Sequence, residues 1–362
     1  MNKFIPSFVD ITDWNKNLYS STGGTRAKKI YVHPIEDIDY FFKGSKELDD
    51  RSIRYPLEFW SEIVSSKIGQ WLGFNILDYN IGYDKYSHQT LGCLSKSMVD
   101  YSLNTLTEGI EYLRGFDPKY DPLNDENRYT LSFIKKSLNR FQLNHYENQF
   151  VEMLISDALI GNSDRHQENW GFITLFKETL EELDKEIVLA NGFWKTILPS
   201  LNRYLAKLTH NMRKIDEVNK KGIKKSTLLN QSVLAKTVFS PIYDSGCCLG
   251  RELEDYKIDT LLRDNKMLET YMKKGRSEVR WTVGNKPRHF DLLINLKNEH
   301  SDLITDLKGK INQVYSNDAL KEIVYNVDLN LPERLKDFKL PDLRKELMLK
   351  LVTLRINTFL EL

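Results

Sequence analysis

The chain has 362 residues, with 52 Lys and Arg against 51 Asp and Glu, and 41% of its residues are hydrophobic. This is the composition of a globular protein long enough for two or more compact lobes, and it excludes a disordered chain or a fibre. A net charge of +1 gives no reason to expect nucleic acid as a principal ligand.

The opening residues Met1-Asn2-Lys3-Phe4-Ile5-Pro6 lack the apolar core of a signal peptide, and no run approaches membrane-spanning length. A cytoplasmic protein without a membrane partner is expected. Cys93, Cys247 and Cys248 supply neither a disulfide framework nor the spaced pairs of a zinc site, which agrees with a reducing compartment.

In chain order, Ser20 to Lys28 holds Gly23 and Gly24 and precedes the alternating Ile30-Tyr31-Val32. It reads as a glycine-rich turn between strands, with Ser21, Gly23, Gly24 and Lys28 as nucleotide-contacting candidates. The string has neither the P-loop nor the Gly-x-Gly-x-x-Gly pattern, and a plain hairpin fits it as well. Next, Ile38, Tyr40, Phe41 and Phe42 predict a strand ending in Lys43. A lysine so placed can meet nucleotide phosphates when a carboxylate on a neighbouring helix holds it. Pro56 to Leu72 supplies that helix, with Phe59, Ile63, Val64, Ile68, Trp71 and Leu72 on one face and Glu58 and Glu62 one turn apart. Strands over Phe74–Tyr83 and Thr90–Met98 complete a small β-rich lobe, and Met98 to Gly109 is expected to be the hinge that meets adenine.

From Asn127 onward helical patterns dominate. The apolar run Phe150, Val151, Met153, Leu154, Ala158, Leu159 and Ile160 leads into Gly161-Asn162-Ser163-Asp164-Arg165-His166-Gln167-Glu168-Asn169, and Trp170 to Leu175 reads as a strand leaving it. Asp164 and Asn169 stand at the Asp-x-x-x-x-Asn spacing of a kinase catalytic loop, in which the carboxylate faces the acceptor hydroxyl and the amide oxygen faces a metal. Asp244, in Ser240-Pro241-Ile242-Tyr243-Asp244, is then the second metal ligand. Mg²⁺ is held by few protein oxygens and keeps waters and phosphates, so a sparse oxygen set is what it needs. Between the two motifs, Glu178 to Lys185 is acidic and helical, and Arg203 to Lys225 is basic with a turn at Gly222. The stretch of about 178–232 reads as a charged insertion, either a solvated face or a docking arm for a substrate or partner. The tail from Asp302 to Leu362 reads as amphipathic helices.

The expected fold is α+β and two-lobed, like a protein kinase. Residues 1–100 form a small β-rich N-lobe with the glycine-rich loop, and residues 101–362 form a larger, mostly helical C-lobe with the catalytic loop and Asp244.

The string Asn162 to Phe172, taken with Ser240 to Asp244, resembles the catalytic core of HipA-like serine/threonine kinases. The Asp-Arg-His-x-x-Asn core is also similar to that of phosphoinositide kinases, whose C-terminal lobe the HipA family resembles. The similarity runs from about Ser20 to beyond Trp281. It implies Asp164 as general base, Asn169 and Asp244 as metal ligands, ATP and Mg²⁺ as cofactors, and a protein substrate. It favours Glu62 over Glu58 as the partner of Lys43, and it places Ser21 where the family has a serine that is autophosphorylated to switch the kinase off. His166 has a supporting role in the HipA-like pattern and a more direct one in the lipid kinases; Arg165 is read as an anchor of the loop. Two departures stand out. The gap from Asn169 to Asp244 is far longer than the family's short pair of strands, and only about twenty residues precede Ser21 where full-length HipA toxins have a further subdomain. A shortened HipA-like kinase is expected, as the toxin of a toxin–antitoxin pair with a small antitoxin or HipS/HipB-like partner. The alternatives are a non-catalytic kinase-fold module acting as a binding partner or antitoxin, and a lipid or small-molecule kinase.

Overall fold

A computed structural model of the chain describes residues 4–17, 28–100, 104–190, 196–205, 207 and 236–362. Six strands, β1 (Phe8–Asp10), β2 (Asn15–Lys16), β3 (Lys28–Val32), β4 (Asp39–Lys43), β5 (Asn80–Tyr83) and β6 (Leu91–Lys96), form one sheet in the order β1-β5-β6-β4-β3-β2. Among the described residues of this sheet, β1 and β5 pair parallel and the other neighbours antiparallel. Side-chain alternation decides what each face does. Tyr31 and Phe42 point to one side and pack with Ile11 and Leu94 in a small cluster, while Lys28 and Lys43, directly opposite in register, point to the other. Helix α1 (Glu58–Trp71) lies on that second side and buries Trp60, Ile63, Val64 and Ile68 in the main core with Ile81, Leu91 and Cys93.

The expected strand over Phe74–Tyr83 is shorter, because residues 75–77 are taken up by another segment: Ile76 pairs with Ile242, and Leu77 N–H donates to the Ile242 carbonyl at 2.9 Å. The segment expected as a hinge lies partly in a second sheet. Its second half is a strand, β7 (Asn104–Glu108), whose Thr105, Leu106 and Thr107 lie opposite Thr174, Ile173 and Phe172 of β8 (Gly171–Leu175). β-branched residues at both edges of that pairing favour a ladder over a loop.

Helices α2 (Gly109–Phe116), α3 (Leu131–Arg140) and α4 (Glu147–Ile160) precede β8, which continues into α5 (Phe176–Leu189). A further helix covers residues 196–205, and β9 (Thr237–Phe239) then returns to pair antiparallel with β8, Phe172 opposite Phe239. The long gap between the two motifs is therefore an excursion between paired strands, and the strands meet in plain register. Phe172 is enclosed by Tyr112, Tyr146, Trp170 and Phe239 in edge-on ring contacts, a geometry that aromatic pairs favour.

The remaining chain is helical: α6 (Asp255–Arg263), α7 (Asn265–Lys274), α8 (His289–Glu299), α9 (Ser301–Val314), α10 (Asn317–Tyr325) and α11 (Asp342–Glu361). Helix α11 packs against α4, α6, α7, α9 and α10 and buries Leu347, Met348, Leu351, Val352, Ile356 and Phe359. Among the described residues no helix is long and apolar enough to cross a membrane.

At the start of α8 the buried His289 ring has been pushed by desolvation, with help from the neighbouring Arg355 charge, from 6.5 down to about 3. The unfolded chain therefore binds a proton near pH 6.5 that the fold refuses, so this residue's contribution is present above pH 6.5 and is lost as pH falls toward about 3. Urea denaturation at pH 7 and pH 5 is expected to show a drop in stability that is smaller in a His289→Gln variant; an equal drop in both proteins would remove His289 as a source of acid sensitivity.

Candidate active site

The register of β3 and β4 sets two ammonium groups side by side. Lys28 and Lys43 are directly opposite, an arrangement that repels in a bare sheet. Asp244 offsets it: Lys43 Nζ lies 2.5 Å from Asp244 Oδ1, and Lys28 Nζ lies 3.7 Å from Oδ2. Lys43 is buried, and Glu62 of α1 holds it from behind with Oε2 at 3.0 Å. The other oxygen of Glu62 accepts the Ser245 N–H at 2.7 Å, so one carboxylate on α1 grips both the sheet lysine and the residue after Asp244. Glu58, one turn earlier, goes elsewhere: it pairs with Arg251 and accepts the Lys46 N–H at 3.0 Å.

Asp244 itself has φ of +54°, the left-handed region that Asp tolerates better than most residues. Its N–H points to the Tyr79 hydroxyl at 3.4 Å. Burial, reinforced by the Glu62 and Asp244 charges, pushes that hydroxyl well above the usual tyrosine range, so it stays neutral.

The loop that carries Asp164 begins where α4 ends. Gly161 caps the helix at φ +72°, and a Cβ there would collide with the guanidinium of Arg355, which donates to the Ala158 carbonyl at 3.3 Å. Both the backbone and the neighbour require glycine. Arg165, buried to 1% exposure, then uses all five of its donors. Nε and Nη2 meet the two oxygens of Asp157 on α4 at 2.9 and 2.8 Å, Nη1 meets the carbonyls of Asn169 and Tyr243 at 2.6 and 2.5 Å, and Nη2 meets Ser245 Oγ at 3.0 Å. Burial works against its charge, but the Asp157 carboxylate outweighs that and raises its pKa. Asn162 closes the set by donating to Asp157 Oδ1 at 2.8 Å.

Between these anchors, Asp164 accepts at its main-chain carbonyl from Asn169 Nδ2 at 2.7 Å, and its carboxylate Oδ2 lies 3.1 Å from Cys247 Sγ. The bond from Nδ2 turns the amide oxygen of Asn169 the other way. His166 shares the loop, but its Nδ1 accepts the Glu168 N–H at 3.3 Å and does not bond to Asp164. Ser21, Gly23 and Gly24 lie outside the described residues. The donors fit the groups expected here: a carboxylate and an amide oxygen are the ligands that Mg²⁺ takes, and two adjacent lysines suit phosphate oxygens. Among the described residues no three His, Cys, Asp or Glu side chains gather into a metal cage, so phosphate and water oxygens would complete such a coordination shell.

No protein-family model matches the chain, and no curated protein matches it either. Among solved structures, it is similar to the crystal structure of a proinflammatory kinase, CtkA, of Helicobacter pylori, with a TM-score of 0.64, 16% identity, and 98% of each chain covered. The fold is kinase-like. A likeness at this identity speaks for the fold, a β-rich N-terminal part and a mainly helical C-terminal part.

The sequence marks Arg165 as a loop anchor but not the groups it anchors to. The available signal was Asp157, a carboxylate inside the apolar run Ile155 to Ile160, where a charge demands a buried partner. Cys247, Tyr79 and Ser245 gave no local sign of their contacts. Because Arg165→Met would leave the Asp157 carboxylate buried without a countercharge, it is expected to lower stability by about 3–5 kcal/mol, measurable by urea unfolding. A loss below about 1 kcal/mol would show that Asp157 finds another partner.

Proposed function

We propose that the chain is an ATP- and Mg²⁺-dependent protein serine/threonine kinase of the HipA-like type. The observation that carries this reading is the pair of ties on the Asp244 segment: Glu62 joins it to Lys43, and Arg165 joins it to the Asp164–Asn169 loop. In this reading residues 1–100 hold the nucleotide and residues 101–362 supply the chemistry.

Asp164 takes the proton of the acceptor hydroxyl as that oxygen attacks the γ-phosphorus, the bond from that phosphorus to the β–γ bridging oxygen breaks, and ADP leaves with the electron pair. Asn169, through its amide oxygen, and Asp244, through its carboxylate, would hold the metal, which when bound would neutralise charge on the phosphates. Lys43, kept in place by Glu62, and Lys28 beside it meet phosphate oxygens. His166 supports the turn that orients Asn169, whose N–H donates to the His166 carbonyl at 3.0 Å. Ser21 is the self-modification site by which activity is switched off. A cytoplasmic toxin restrained by a small antitoxin or HipS/HipB-like protein is the biological setting this implies.

With γ-labelled ATP and Mg²⁺, the purified protein is expected to label protein, Ser21 included, and Asp164→Ala and Asp244→Ala are each expected to reduce labelling roughly 10²–10⁴-fold. Labelled lipid or metabolite with no labelled protein would replace the protein acceptor. No transfer together with no ATP-dependent thermal shift would remove the nucleotide site.

A further inference from the structure

Cys247 stands three residues after Asp244, in the buried run from Ser245 to Gly250. It touches the catalytic loop through both its backbone and its side chain. Its carbonyl accepts the Ser163 N–H at 3.2 Å, and its Sγ lies 3.1 Å from Asp164 Oδ2. In this contact the thiol donates and the carboxylate oxygen accepts. Cys248 does different work: its Sγ is directed at the Ser61 carbonyl of α1 at 3.8 Å, and burial pushes its thiol up.

Asp164 is thereby held at three points. Its N–H donates to Asn162 Oδ1 at 3.3 Å, its carbonyl accepts from Asn169, and its Oδ2 accepts from Cys247. The first two fix the backbone; only the third acts on the side-chain torsion that decides where the carboxylate points. We propose that Cys247 is a positioning residue: its thiol fixes the carboxylate of Asp164 through Oδ2 and so directs Oδ1 to the acceptor hydroxyl. This rests on the reading of Asp164 as general base. A thiol suits the task because it is a weak donor, so it orients the carboxylate while leaving it able to take up the acceptor's proton.

Two measurements test this. The infrared S–H stretch, assigned to Cys247 by its loss in Cys247→Ala, reports the bond directly and needs no activity; it is expected to move toward the frequency of a weakly bonded thiol in Asp164→Ala. A band that stays in place overturns the contact. In steady-state kinetics, Cys247→Ala is expected to lower kcat roughly 3–10-fold, the effect of one lost hydrogen bond on a barrier, with the KM for ATP and the melting temperature unchanged, while Cys247→Ser, which keeps a donor, restores at least about half of kcat. Equal losses in Ala and Ser, or a loss that follows a lowered melting temperature, would make Cys247 merely structural. Transfer abolished by Asp164→Ala but intact in Cys247→Ala overturns the role of Cys247 alone, whereas transfer that survives Asp164→Ala removes the base reading and this role with it.

Discussion

The buried guanidinium of Arg165 is the fixed point of the site. Its partners come from three separate places: Asp157 inside a helix, Asn169 at the end of the loop, and Tyr243 and Ser245 on either side of Asp244. A rigid, planar group with five donors can set those distances at once; lysine, with three donors on a flexible stem, cannot. A charge this deeply buried is tolerated only with its full set of partners, so the loop and the Asp244 segment are held in one arrangement.

Glu62 is the second joint, and it shares the Tyr243–Ser245 segment with the first. Through its two oxygens the position of Lys43 on the sheet is tied to Ser245, and Ser245 is tied to Arg165. The groups that would face phosphate and the groups that would face the acceptor are therefore connected through Glu62, Ser245 and Arg165. Asp244 sits at the junction in a left-handed backbone conformation, a local cost that persists where the surroundings over-determine it.

Much of the fold was legible where a pattern is local. Apolar alternation in Ile30 to Val32 and Ile38 to Phe42, and helical spacing in Phe59 to Leu72 and Phe150 to Ile160, correspond to β3, β4, α1 and α4. Strands β1 and β2 escaped because three and two residues are too few for a period to show; they exist through pairing with β5 and β3. The strand character of β7 was hidden for a related reason, since its partner β8 lies beyond three helices. At the site, residue types and the loop spacing were readable, but the ties between them were not. Cys247 and Asp164 are 83 positions apart, and nothing in the neighbourhood of a cysteine announces a carboxylate that distant.

The excursion between β8 and β9 has a consequence for how such proteins diversify. Antiparallel pairing fixes where Phe172 and Phe239 meet whatever lies between them, and closing a longer loop costs only about 0.6 kcal/mol for each doubling of its length. Duplication, deletion or exchange of that stretch can thus proceed while Asn169 and Asp244 keep their separation in space. Descent could leave two such proteins with the same spatial arrangement of these side chains and very different intervals between them, and a comparison that counts positions along the chain would judge them unrelated.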